Sequence, residues 1–146
     1  IAPLTPEGKC DVLIAVEPSE ALRNIQYLAK NAVVVLNSRT VLPYTVFLGQ
    51  SKYPSRKDIL AKLKRVTHRI IVLDAARLAE KAGNLQSSNV AMLGGLFGTG
   101  LLPVSVAIAK AVIQSRFPAK AAATNLKAFD LGYEEVQQAL QSTTAK

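Results

Sequence analysis

Asp11-Val12-Leu13-Ile14-Ala15-Val16 is a short apolar run behind one acid, closed at once by Glu17-Pro18-Ser19. A continuous apolar run of this length, bounded by a turn signal, reads as a strand buried on both faces. Pro18 cannot donate to a sheet ladder, so the strand ends there. Ser19 is a candidate N-cap for a helix to about Lys30, with Ala21, Leu22, Ile25 and Leu28 at helical spacing. Ala32 to Leu36 repeats the pattern as a second buried strand and stops at the polar turn Asn37-Ser38-Arg39-Thr40. Arg69 to Leu73 is a third, ending at Asp74.

Helices separate these runs. Ser55 caps one expected to reach about Val66, with Ile59, Leu60, Leu63 and Val66 as its buried stripe. Ala75 to Ala82 forms a short helix stopped by Gly83-Asn84. Val41 to Pro54 carries Pro43 and Pro54, which disfavour a central strand or a helix. It is expected as an extended crossing loop with a short edge strand at Thr45 to Leu48. Beyond Asn84 no strand pattern remains. Ser88 or Asn89 starts a helix over Val90 to Phe97, and Ser105 caps one to about Arg116. Pro118 precedes a last helix from Ala119 towards Tyr133, with an extension to Leu140 past Gly132. Gln141 to Lys146 is expected to fray.

Strands joined by helices imply parallel pairing through right-handed crossovers. The expected fold is α/β: an open, mostly parallel, three-layer, Rossmann-like sheet with a helical C-terminal third, in a single domain over 1–146. Three strands are few for such a sheet, so further strands are expected on the N-terminal side.

The 146 residues are 49% apolar, enough for a core without disulfides or metal, and Cys10 is the single cysteine. That suits a reducing, cytoplasmic setting. His68 is the single histidine, so no multi-histidine site can form. No stretch carries a nucleophile with its base, and no catalytic residue is assigned. One cysteine cannot hold an iron–sulfur cluster, and no metal ligands are assigned. Gly94-Gly95-Leu96-Phe97-Gly98-Thr99-Gly100 lacks the lysine of a phosphate loop and no strand precedes it, so its glycines are read as close helix packing. From Ala82 to Ala109 no residue is charged. Gly100 and Pro103 break that stretch, which favours two buried helices over a membrane span.

The net charge is +8. Lys52, Arg56, Lys57, Lys62, Lys64, Arg65 and Arg69 face only Asp58 within one short segment. A solvated helix face is one reading; a docking surface for an acidic partner is the other. Nucleic acid fits poorly, because Tyr53 is the lone aromatic beside the run. Glu17, Asn37 and Asp74 each follow the last apolar residue of an expected strand. Carboxyl ends of parallel strands form the ligand crevice of open α/β sheets, which makes these three candidate crevice residues. The alternative is that they cap the following turns through local hydrogen bonds.

The ordered motifs resemble one family. Asp11 to Arg23, Val33 to Ser38, Tyr53-Pro54-Ser55, Asp74 to Ala79 and Asn89 to Gly94 each resemble segments of the gamma-type domain of 2-oxoacid:ferredoxin oxidoreductases. Thr99 to Pro103, Arg116-Phe117-Pro118 and Asn125 to Gly132 continue the match, and the beta subunit of the indolepyruvate type is the most similar. That family opens with a strand and a Gly-x-Gly-Gly-Gln-Gly loop, which this sequence lacks. The resemblance implies a subunit inactive alone. In the whole enzyme a 2-oxo acid is oxidatively decarboxylated to an acyl-CoA while ferredoxin is reduced. Thiamine diphosphate, Mg, the iron–sulfur clusters and CoA are expected in the holoenzyme, with no cofactor in this chain. The implied partners are a larger thiamine- and cluster-bearing subunit and ferredoxin. A bare sheet edge adds the expectation of a homo-oligomer. The competing readings are a stand-alone nucleotide- or CoA-binding module and a structural interaction domain.

Overall fold

A computed structural model describes residues 4–40, 48 and 53–144. The chain forms two compact units, 1–72 and 73–146. In the first, β1 (Cys10–Ala15) leads through α1 (Pro18–Arg23) to β2 (Leu28–Asn37). Then α2 (Arg56–Leu63) precedes β3 (Ile70–Leu73), whose last residue opens the second unit. Among the described residues the sheet has the order β1-β2-β3, so β2 is central. Its strands are parallel and the fold is an open α/β sheet, as expected. β1 and β2 run in register from Val12 opposite Val33 to Ala15 opposite Leu36, with an irregularity near Cys10. The Val34 N–H donates to the Arg69 carbonyl at 2.9 Å where β3 begins.

Position in the sheet decides burial. Every residue of β2 from Ala32 to Asn37 is buried, on both faces. The expectation of equal burial for β1 is corrected: only Ala15 is fully buried there. β1 pairs with β2 alone among the described residues, and an edge strand keeps one flank open. Ala32, Val34 and Leu36 alternate along one face of β2 and pack with Ala21, Ile59 and Leu63 from α1 and α2. Each of the larger side chains contributes roughly 1.5–3 kcal/mol by leaving water. The buried Thr67 hydroxyl donates to the Ala32 carbonyl at 2.6 Å and accepts from the Arg69 N–H, which fixes the turn into β3.

Two boundaries differ from expectation. The helix after β1 ends at Arg23 rather than Lys30. Asn24 stops it: its backbone N–H and its side-chain amide both donate to the Glu20 carbonyl, a local competition typical of Asn. A single 3-10 turn, Ile25–Tyr27, then feeds β2, which starts at Leu28. The proposed edge strand at 45–48 lies outside the described residues except for Leu48, an exposed turn residue.

The second unit is helical: α3 (Ala75–Ala82), α4 (Ser88–Gly98), α5 (Val106–Arg116) and α6 (Ala119–Thr144). Gly83, at φ 111°, closes α3 in the left-handed conformation. Ser105 caps α5 through the Ile108 N–H. α6 runs unbroken through Gly132 to Thr144, past the expected extension to Leu140. Gly132 persists because it is a contact point: a Cβ there would overlap the Ala91 carbonyl oxygen of α4, and one on Gly94 would overlap that of Phe129. The glycine string therefore serves backbone-to-backbone packing, as read. Phe97 and Phe129 pack with tilted rings, their centres 5.4 Å apart, beside this crossing. Arg77–Glu135 and Lys110–Asp130 ion pairs, both 2.5 Å, tie α3 and α5 to α6 at the surface. The uncharged stretch from 82 to 109 folds as parts of separate helices. Among the described residues no helix is long and apolar enough to cross a membrane.

Candidate functional site at the strand ends

The carboxyl ends of β1 and β2 lie side by side because the strands are parallel and in register. Asn37, the last residue of β2, is 6% exposed. Its amide donates to the Val16 carbonyl at 2.9 Å, just past the end of β1, and its oxygen accepts from the Arg39 N–H. A side chain from one strand thus holds the exit of the next, and Glu17 follows directly.

Glu17 caps α1. Its carboxylate accepts from the Ser19 N–H at 2.9 Å and from the Ser19 hydroxyl at 2.5 Å. Ser19, expected to be the cap itself, instead supports the cap. The other oxygen of Glu17 accepts from the Tyr53 hydroxyl, a residue 36 positions away. Burial, then the Glu17 hydrogen bond, push the Tyr53 phenol above its ordinary value of 10.0; hydrogen bonds with the Thr40 side chain and the Ser19 backbone act in the opposite direction. Glu17, Ser19, Thr40 and Tyr53 therefore make one polar cluster past the end of β1, with Asn37 bonded to the neighbouring Val16 carbonyl. Its groups donate and accept hydrogen bonds, and Glu17 is already engaged by three donors, so it is a positioning group rather than a free base.

Asp74, the third expected crevice residue, belongs to the second unit. It caps α3, accepting from the Arg77 N–H at 3.0 Å. Both acids thus perform the local capping that the sequence left open as the alternative. Tyr53 was missed as a site residue: its Tyr-Pro-Ser setting marks a helix start, and nothing local announces its distant partner.

Arg56, Lys57, Lys62, Lys64 and Arg65 are all exposed on and just after α2, and none forms an ion pair among the described residues. Lys52, the remaining member of the expected docking set, lies outside them. Asp58 is engaged by Ser55 at the start of α2. Asp58 is therefore the single acid on a helix whose described cations form no ion pair. His68 is exposed in the turn before β3.

Cys10 opens β1, with its thiol donating to the Val12 carbonyl at 3.1 Å; burial raises its pKa. Among the described residues no group of three or more His, Cys, Asp or Glu side chains could hold a metal ion. With one cysteine in the chain, these residues do not fit a four-thiolate cluster.

Residues 1–135 match the profile of the family described as pyruvate ferredoxin/flavodoxin oxidoreductase. An indolepyruvate oxidoreductase subunit IorB from Archaeoglobus fulgidus is 42% identical over 134 residues, covering 92% of this chain and 67% of that protein. Its namesake from Pyrococcus horikoshii is 39% identical over 142 residues, covering 94% and 68%. In fold, the chain is similar to the gamma subunit of a keto/oxoacid ferredoxin oxidoreductase from Geobacter sulfurreducens PCA. The TM-score is 0.64 at 22% identity, over 90% of this chain and 66% of that one. The chain thus spans about two thirds of the length of the relatives it matches. On the extent of the profile match and the identity to these relatives, the chain belongs to the pyruvate ferredoxin/flavodoxin oxidoreductase family.

Proposed function

We propose that this chain works as the indolepyruvate-type subunit of a 2-oxoacid ferredoxin oxidoreductase and turns over no substrate alone. The observation that carries the reading is the family match over residues 1–135 together with two relatives of the same printed name near 40% identity. The chain is a subunit of a 2-oxoacid ferredoxin oxidoreductase, and such a subunit requires a larger partner. The residues present here do not fit an iron–sulfur cluster, so no electron-transfer step is routed through this chain. Thiamine diphosphate, Mg and the clusters belong to the larger subunit in this reading, and the product is an acyl-CoA released as ferredoxin is reduced.

Two surfaces have roles in this assembly. The strand-end residues Glu17 and Asn37, with Tyr53 bonded to Glu17, form a hydrogen-bonding lip that shapes the approach of CoA or substrate. The exposed cations Arg56, Lys57, Lys62, Lys64 and Arg65, with Lys52, dock an acidic protein surface. Ferredoxin is the expected occupant, since opposite surface charge speeds encounter. The open flank of β1 pairs with a second copy or with the larger subunit. A single cysteine suits a cytoplasmic enzyme.

Co-expression with the thiamine-binding subunit, followed by native mass spectrometry at low and high salt, tests the reading. A stoichiometric complex is expected in both. Recovery of this chain alone under both conditions would reject it.

A further inference from the structure

α5 is apolar on two faces and buries one of them. Ala109 and Ile113 join the core with Phe129 of α6, and Lys110 is drawn to Asp130 of the same helix. The other face is bare. Ile108 and Val112, four residues apart, are 57% and 50% exposed, and Val104 just ahead of the helix is 45% exposed. Beside them runs a row of small residues at the same spacing, Ala107, Ala111 and Ser115, all exposed. The Ser115 hydroxyl donates to the Val112 carbonyl at 3.0 Å, so this row needs no hydrogen bond from a neighbour. A helix that is apolar all round belongs in an interior.

Three observations make the occupant of this face a second copy of the chain. The first is charge. The chain carries +8, so two copies repel unless they meet where cations are absent. Between 101 and 115 the single charged residue is Lys110, held by Asp130, and Arg116 ends the helix. An antiparallel pair keeps the two Arg116 side chains at opposite ends of the contact. The second is shape. A two-fold axis lays the Ile108–Val112 ridge of each copy along the small-residue row of the other, and interlocked i±4 rows are the commonest helix packing. A second copy supplies both halves of that fit by symmetry. The third is area. With Leu101 and Phe117 exposed as well, the face offers roughly 500 Å², toward the upper end of what a soluble monomer leaves bare. Two such faces together remove about 1,000 Å², which meets the lower bound for a specific interface.

We propose that two copies of this chain associate as an antiparallel, two-fold symmetric pair through the exposed face of α5. The inference does not rest on the enzyme reading, and it concerns α5 rather than the open flank of β1.

Sedimentation velocity of the purified chain over a micromolar concentration series tests the proposal, beside native mass spectrometry of the complex co-expressed with the larger subunit. A monomer–dimer equilibrium with a micromolar Kd is expected. Ile108→Lys, at an exposed position that leaves the circular dichroism spectrum unchanged, weakens it at least about tenfold by bringing a charge into the contact of each copy. Ala111→Trp adds apolar surface but fills the groove, so it also weakens the pair, whereas unspecific adhesion would strengthen. The proposal is overturned if the chain stays monomeric throughout, or if either variant pairs as tightly as wild type. A monomeric chain whose Ile108→Lys variant loses the larger subunit would give the face to that subunit and overturn the proposal equally.

Discussion

Gly94→Ala is the sharpest structural perturbation available, because it places one methyl group where two helices touch backbone to backbone. The added Cβ would overlap the Phe129 carbonyl oxygen; the reciprocal change, Gly132→Ala, would overlap that of Ala91. A backbone oxygen inside α6 cannot rotate away as a side chain does, so the helices must part by about 1 Å or more to restore carbon contact distance. Overpacking of this kind costs at the upper end of its usual range, about 3 kcal/mol or somewhat more. Replacing a mid-helix glycine by alanine returns about 1 kcal/mol through helix propensity. The net loss is about 2–3 kcal/mol, which for a chain of this length lowers Tm by roughly 4–12 °C. Gly83→Ala provides the contrast. Nothing lies near its Cβ, and its cost of about 1–2 kcal/mol comes from φ 111° alone. Urea unfolding followed by far-ultraviolet circular dichroism measures all three variants. A Gly94→Ala variant as stable as wild type would refute the close-packing account of the glycine string.

Tyr53→Phe removes one of three donors to Glu17 and should destabilise by about 1–2 kcal/mol at neutral pH, read by urea titration. The raised phenol pKa favours the protonated form in the fold, so this contribution is complete below about pH 10 and is lost as pH rises through the folded value. The stability difference between wild type and Tyr53→Phe should therefore shrink in alkali, and an ultraviolet titration should show one late-ionising tyrosine that the variant lacks. Ser55→Ala deletes the α2 cap, in which the Ser55 hydroxyl accepts from the Asp58 N–H, and should cost about 1 kcal/mol in the same unfolding assay. Lys62→Glu combined with Lys64→Glu should slow association with an acidic partner and flatten its salt dependence in stopped-flow mixing, with folding unaffected because both residues are exposed.

The three apolar runs were legible because a strand in a parallel sheet needs little beyond length, apolarity and a stop signal. Ser55, Asp74, Gly83 and Ser105 were equally readable as helix ends, since each acts within one turn of its own position. Asn24 went unread as a stop: a helical spacing of Leu22, Ile25 and Leu28 outweighed a side chain that diverts the backbone, and Leu28 is buried from a strand instead. The even burial expected of β1 failed because burial depends on a strand's place in the sheet, which its own residues do not encode. At the site, Glu17 and Asn37 followed from the rule about strand ends. Tyr53 did not, as it acts through a partner 36 residues away. Contacts of that range are properties of the fold rather than of any window of sequence.

The central claim is that this chain has no turnover of its own and completes an oxidoreductase built around a larger subunit. Indolepyruvate-dependent reduction of ferredoxin, with CoA present, measures it directly on the separate subunits and on their mixture. The account predicts background rates for this chain alone and turnover that rises with added chain to a stoichiometric plateau. Full activity from the larger subunit without this chain, or from this chain by itself, would contradict it.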